Sequence, residues 1–186
     1  MIYIKDDEFI RGNCPMTKEE VRILSIAKLE LKNDYVVADV GAGTGSVSIQ
    51  ISKICNLGKV IGIEKDKEAL EVLYKNKEKF QADNFEIIEG LAEDIEIYEK
   101  FDGVFIGGSG GNIENLIEKY GNMLKIKGKM VLNFITLDNV YKALEKLKKL
   151  GYKTECSQIA ISKTRGDSLM LIANNPIFIV SGEKQV

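Results

Sequence analysis

Three short stretches carry residues whose types and spacing could do chemistry. In "YVVADVGAGTGSVS" an acid, Asp39, sits inside an apolar run, and Gly41-Ala42-Gly43-Thr44-Gly45 follows directly. In "KVIGIE" a second apolar run ends on Glu64, 19 residues beyond Gly45. In "FDGVFIGGSGGNIE" a third run opens into Gly107-Gly108-Ser109-Gly110-Gly111, with no side chain larger than serine. A glycine turn between a strand and a helix bends the chain sharply and leaves bare backbone for a ligand. An acid closing the next strand is placed to accept both hydroxyls of a ribose. A carboxylate inside an apolar strand needs a reason, because burying it unpaired is costly. Each feature alone has an ordinary explanation: a tight turn, a solvated acid at a helix start, a linker. Together they predict a ligand of nucleoside type at the carboxyl ends of a set of strands.

The spacing narrows the ligand. The pattern is G-x-G-x-G, and Ser46 stands where a dinucleotide fingerprint has its third glycine. A pyrophosphate cradle is therefore poorly matched. No histidine occurs, which excludes imidazole metal sites, Ser-His-Asp triads and Cys-His dyads. Cys14, Cys55 and Cys156 are widely spaced and odd in number, against a disulfide framework or a paired-cysteine zinc site. No metal is expected, and Cys14, with no evident activator, reads as a bystander. A net charge of −2 gives no basic field to draw the protein to nucleic acid or anionic membrane. The charged amino terminus does not read as a signal peptide, and no apolar run reaches the ~20 residues of a membrane helix. The expectation is a cytoplasmic, soluble protein.

The elements that must position these residues alternate. Thr17 with Glu20 reads as a capping box, followed by a helix whose face is Val21, Leu24, Ala27 and Leu31. Strands are expected at 35–40, 59–64, 85–90, 101–108 and 128–135, and helices at 46–55, 66–80, 112–124 and 137–151. Asn112 should cap the helix after the glycine stretch, and Gly151 should close the last one. Two long β-rich runs, 152–163 and 168–182, finish the chain around the turn "TRGD". This predicts one α/β domain over residues 1–186: a Rossmann-like, doubly wound, seven-stranded sheet with one antiparallel strand in a carboxyl-terminal hairpin. Residues 1–33 form an amino-terminal segment and helix covering the site. The apolar run "LMLIANNPIFIV" exceeds what one sheet face needs and predicts a homo-oligomer.

The glycine motif resembles motif one of the class I S-adenosylmethionine-dependent methyltransferases, whose sheet also ends with an antiparallel strand. Taken in order, "F-x-R-G-x-x-P-M-T-K-x-E-V-R", "D-V-G-x-G-T-G-S-V-S" and "I-G-G-S-G-G" resemble the cobalt-precorrin-6B carbon-15 methyltransferases (decarboxylating) of anaerobic cobalamin synthesis. The likeness runs from about Phe9 to Phe178.

The resemblance implies S-adenosylmethionine as cofactor and methylation of carbon 15 of a tetrapyrrole, with loss of a ring acetate carboxyl group. It implies that Gly41, Ala42, Gly43, Thr44 and Gly45 line the methionine and ribose portions, that Glu64 takes the ribose hydroxyls, and that Leu91 and Ala92 flank the adenine. Thr17 matches a position that contacts the cofactor. It implies a homotetramer and allows other cobalamin-pathway enzymes as partners. Gly107, Gly108, Ser109, Gly110 and Gly111 would floor the pocket for a flat macrocycle. Arg11, Lys18, Arg22, Lys163 and Arg165 could meet its carboxylates, with Arg11 and Arg165 favoured by their glycine-flanked turns. One departure stands out: the turn before the last strand often carries a histidine in that family, and here it reads Arg165-Gly166-Asp167-Ser168. No role for that histidine is carried over, and no side-chain base is identified. Other readings are a transfer-RNA methyltransferase, opposed by the acidic balance, and a non-catalytic cofactor-binding subunit.

Overall fold

The computed structural model describes residues 3–107, 111–167 and 169–185. Gly108, Ser109 and Gly110 of the expected substrate floor lie outside the described residues, as does Ser168. Among the described residues six strands and five α-helices alternate up to the end of the sixth strand, except that no helix separates the third strand from the fourth. They are α1 (Glu19–Lys28), β1 (Val36–Val40), α2 (Ser46–Ile54), β2 (Lys59–Glu64), α3 (Lys67–Lys79), β3 (Phe85–Glu89), β4 (Phe101–Ile106), α4 (Ile113–Met123), β5 (Leu124–Phe134), α5 (Leu137–Lys149) and β6 (Tyr152–Ile159). β7 (Ser162–Arg165), β8 (Met170–Ala173) and β9 (Ile177–Lys184) follow without helices.

The main sheet has the order β3-β2-β1-β4-β5-β9-β6. β9 runs antiparallel to both neighbours, and the pairs among β1 to β5 are parallel. The expected seven-stranded sheet with one antiparallel strand is therefore observed. The strands read as apolar runs because both faces are covered. α4 and α5 bury Ile113, Leu116, Ile117, Tyr120, Val140 and Leu147 on one face. The amino-terminal segment and α1 to α3 bury Phe9, Val21, Ile26, Ile49, Leu70 and Leu73 on the other. Reversal of the connections on either side of β1 opens a crevice at the carboxyl edge, between β1 and β4. Among the described residues no helix is long and apolar enough to cross a membrane.

Several expectations need correction. The two closing runs are not two continuous strands. β6 and β9 pair in the main sheet, while β7 and β8 leave it as a separate two-stranded ribbon. Every residue of that ribbon is exposed, so alternation carried no burial signal to mark the break. Thr17 is not a helix cap: Lys18 holds that position, without a side-chain bond to the helix. Glu20 instead pairs with Lys163 of β7 at 2.5 Å. The buried face of α1 is Val21, Arg22, Ser25 and Ile26, continued by Leu29, while Leu24 and Ala27 are exposed. Asn112 does precede α4, but its side chain donates to Glu93 at 3.3 Å and accepts no N–H of the helix. Gly151 closes α5 as expected, at φ 78°.

The shifted face of α1 follows from Arg22. This fully buried side chain donates to Asp6 Oδ1 at 3.0 Å, to the Thr17 carbonyl at 2.8 Å and to the Ile4 carbonyl at 2.6 Å. Its guanidinium also lies over the Phe9 ring, 5.0 Å from the centroid. One planar fork thus ties residues 4–17 to the first turn of α1. Asn76 of α3 fastens the same segment further along, bonding both backbone groups of Ile10 and the Thr44 carbonyl. The amino-terminal segment is a strap drawn across the carboxyl edge of the sheet. Arg22→Met should cost about 2–4 kcal/mol, because it leaves the Ile4 and Thr17 carbonyls unpaired and removes the main partner of the partly buried Asp6. Thermal melts should show the loss, and limited trypsin digestion should cut the strap at Lys5, Arg11 or Lys18 well before the core. A variant that melts like the parent and resists trypsin equally would show that Arg22 does not hold the strap.

Candidate functional site

The site begins with the turn after β1. Ile63 of β2 offers one carbonyl to two donors, Gly41 N–H at 2.9 Å and Ala42 N–H at 3.0 Å. Glu64 then accepts from Gly43 N–H at 2.8 Å through Oε2, and from Lys65 and Asp66 N–H through Oε1. The acid at the end of β2 therefore clamps the glycine turn. Two glycines are required by position. Gly43 has φ +56°, and a Cβ there would sit 3.4 Å from the Pro15 carbonyl of the strap. Gly45 has φ +79°, and a Cβ there would collide with Leu73 of α3. The turn is pressed between the strap above and α3 behind.

Around this turn opens a cavity of about 650 Å³. The strap contributes residues 13–18, the turn Gly41–Thr44, β2 Glu64, the loop after β3 Gly90–Glu93, β4 Phe105 with Gly107 just beyond it, and β5 Asn133 and Phe134 with Ile135 just beyond them. Gly107 closes the approach of β4 to the turn: its N–H donates to the Val40 carbonyl at 3.1 Å, and an added Cβ would lie 3.4 Å from the Gly41 carbonyl. The loop after β3 is held from α4. Tyr120 donates to the Ala92 carbonyl at 3.0 Å, and Lys119 to those of Glu93 and Ile95. Burial pushes the Tyr120 phenol up to about 12, so it stays a donor.

Polar atoms in this cavity lack partners. Among the described residues five buried side-chain polar atoms have none, and Asp39 Oδ1, Thr44 Oγ1 and Asn133 Nδ2 all belong to cavity-lining residues. Buried polar groups are matched as a rule, so three unmatched ones around one cavity mark where a ligand's polar groups belong. Asp39 is the strongest case. It is fully buried, and Ser48 of α2 donates to its Oδ2. Burial, and then the neighbouring charge of Glu64, push its carboxyl up to about 7.

Of the residues singled out from sequence, Thr17, Gly41, Ala42, Gly43, Thr44, Glu64, Leu91, Ala92 and Gly107 line the cavity together, and so does Lys18. Gly45 sits just behind the turn. Gly111 is exposed and outside the lining, with nothing within 4 Å of where its Cβ would be. The structure does not bring Arg11, Arg22 or Arg165 to the cavity. Arg11 lies against Asp6 at 3.7 Å, half exposed; Arg22 is consumed by the strap; Arg165 stands on the exposed ribbon. Cys14 does line the cavity, but burial raises its thiol pKa, which keeps it unreactive. Asn133 was missed. Its signal was a polar residue inside the apolar run "KMVLNFI", the same signal that marks Asp39.

Known proteins resemble the chain over nearly its whole length. Residues 8–183 match the family model for a precorrin methyltransferase domain. The chain is 42% identical over 187 residues to the probable cobalt-precorrin-6B C(15)-methyltransferase (decarboxylating) of Sulfurisphaera tokodaii, covering 97% of each. It is 39% identical over 186 residues to the cobalt-precorrin-6B C(15)-methyltransferase (decarboxylating) of Salmonella typhimurium, covering 98% of this chain and 96% of that one. The crystal structure of precorrin-6y C5,15-methyltransferase from Geobacter metallireducens superposes with a TM-score of 0.94 at 38% identity, over 99% of this chain and 97% of that one.

Asp39 makes a testable electrostatic prediction. Its carboxyl titrates near 7 in the fold, against 3.8 ordinarily. The folded state therefore binds the extra proton. The stability this contributes is full below about pH 4 and is lost as pH rises through 7, at up to about 1.4 kcal/mol per pH unit. No histidine titrates in the same window. The melting temperature of the ligand-free protein should fall between pH 5.5 and 8, and Asp39→Asn should flatten that fall. Parallel curves for parent and variant would show that Asp39 is already ionised at pH 5.5.

Proposed function

The chain belongs to the precorrin methyltransferase family, and from that premise we propose that it methylates carbon 15 of cobalt-precorrin-6B from S-adenosylmethionine and removes the carboxyl group of a ring acetate. The observation that carries this reading is the clamped glycine turn facing unmatched Asp39 and Thr44 inside one cavity. Those residues fit the cofactor. Thr44 and Asp39 offer polar atoms for the amino acid portion. Glu64, already accepting three backbone N–H groups, keeps acceptor capacity on Oε2 for a ribose hydroxyl. Leu91 and Ala92 give an apolar wall for adenine, and Thr17 of the strap lies over the turn.

When bound, S-adenosylmethionine supplies an electrophilic methyl group on a sulfonium sulfur. The residues of this chain then have one main task, alignment, which alone can be worth ~7–11 kcal/mol. The strap and the loop after β3 fix one partner from above and from the side. Phe105, Phe134, Ile135 and Ile177 give the other an apolar surround. A conjugated tetrapyrrole suits that shape, and it carries its own nucleophilic carbon and electron sink, so no imidazole base is required. We place the reaction in the cytoplasm, in keeping with a composition that offers no membrane helix and no basic field.

We further propose a homotetramer. β8 and its approach expose Leu169 (68%), Met170 (60%) and Leu171 (68%) on the ribbon that leaves the sheet. A contiguous apolar ribbon of this kind is ordinarily covered by another copy in a closed symmetric assembly. Light scattering at micromolar concentration should give about four times 20.7 kDa; a monomer would reject the assembly without touching the activity.

Glu64→Ala should weaken S-adenosylmethionine binding by roughly 1.5–3 kcal/mol, the loss of a charge-assisted hydrogen bond. Isothermal calorimetry on parent and variant measures this directly. Unchanged affinity, or a preference for NAD, would remove the methyltransferase reading of the cavity.

A further inference from the structure

Asn133 occupies a place in β5 where the fold asks for an apolar side chain. Met130, Leu132 and Phe134 face one core layer, and Val131 faces the other. Strand alternation puts Asn133 on the Val131 side, paired in register with Ile179 of β9, which belongs to that same layer. From α1, the buried Ser25 hydroxyl lies 2.8 Å from the Val21 carbonyl and 3.0 Å from Asn133 Oδ1. That contact occupies one end of the amide. The other end, Nδ2, is buried, has no partner among the described residues, and belongs to a residue lining the cavity. An amide kept only to seat α1 would leave a buried donor unmatched for no gain, and valine or leucine would fill the place without that penalty.

The register separates this group from the glycine turn. Asp39 pairs with Phe105, and Phe105 with Val131. Asn133 therefore stands two strands across from Asp39 and two residues nearer the carboxyl edge, roughly 12 Å away by ordinary strand spacings. Asp39 and Thr44 serve one end of the cavity and Asn133 the other. From β4, β5, β9 and their ends, the remaining lining is Phe105, Gly107, Phe134, Ile135 and Ile177, with no lysine or arginine. A neutral donor in an apolar wall is a particular chemical choice. It orients an acceptor oxygen, and it does not hold negative charge there as a cation would.

We propose that Asn133 is a substrate-positioning residue, whose unmatched amide N–H groups, buried at the cavity wall, hold the carboxylate that the reaction expels. This rests on the decarboxylating methyltransferase reading above. In the step it serves, the bond from the carboxylate carbon to the ring-side methylene breaks. The bonding pair enters the conjugated macrocycle, carbon dioxide departs, and the methylene carbon takes a proton from water. Lysine or arginine at this position would favour the charged carboxylate over its loss. The amide fixes the angle of the breaking bond and leaves the charge free to move.

The test compares the parent with Asn133→Asp and Asn133→Leu, using cobalt-precorrin-6B and S-adenosylmethionine, with carbon dioxide release and methyl transfer followed separately. Asp keeps the shape and still accepts from Ser25, but turns the unmatched donor into an acceptor. Expected for Asn133→Asp are melting near that of the parent at pH 6, cofactor affinity close to the parent, and substrate KM raised at least tenfold at pH 8 and partly restored near pH 6. Asn133→Leu should bind cofactor within about twofold of the parent and release carbon dioxide ~100-fold more slowly, the scale of a misplaced reacting group. Parent-like KM and rate in Asn133→Asp, or an Asn133→Leu that folds and decarboxylates normally, would overturn the proposal alone. A parent enzyme that binds cofactor and methylates but releases no carbon dioxide would overturn the decarboxylating reading and this proposal with it.

Discussion

The site depends on one clamp between neighbouring strands. The chain leaving β1 must turn into α2 without side chains, and a bare glycine turn has no packing of its own to hold it. The end of β2 supplies the hold: the Ile63 carbonyl takes two N–H groups of the turn and the Glu64 carboxylate a third. Because Glu64 also binds the first N–H groups beyond β2, the turn and the start of α3 are fixed by one side chain. α3 then backs the turn with Leu73, and its Asn76 reaches round to the strap. A ligand meeting Glu64 would therefore act on a preorganised surface, with little left to order.

The strap turns this surface into a pocket. Arg22 is an expensive anchor, a fully buried cation held by one acid and two carbonyls. Its geometry is what brings Pro15 over Gly43 and Thr17 over the turn. The two polar residues that interrupt apolar strands, Asp39 and Asn133, both face the layer beneath the strap and α1, each held at one end by a serine from a helix, Ser48 or Ser25. The other end of each has no partner, in a residue that lines the cavity. The same device appears twice on one sheet face, and it divides the cavity into a half beside the glycine turn and a half beside the closing strands.

Much of this was legible in the residues. β1 and β2, ending in a glycine turn and an acid, follow from apolar runs and turn chemistry that are local in sequence. What failed was nonlocal. Glu20 reads as a capping partner for Thr17 until Lys163, 143 positions away, takes it. Arg22 reads as a candidate for the substrate's carboxylates because nothing nearby in sequence shows that Asp6, Ile4 and Thr17 will close around it. The closing ribbon reads as two long strands because its apolar residues stand exposed, so pattern and burial part company there. Asn133 carried the same signal as Asp39, without a neighbouring motif to draw attention to it.

The most direct measurement is a crystal structure of the protein with S-adenosylhomocysteine, the product that lacks the transferable methyl. The account predicts the ligand in the cavity under the strap, its ribose on Glu64, its adenine against Leu91 and Ala92, and Asp39 Oδ1 and Thr44 Oγ1 within hydrogen-bonding distance of its polar groups. Density elsewhere on the molecule, or a ligand that leaves both Asp39 and Thr44 unmatched, would contradict it.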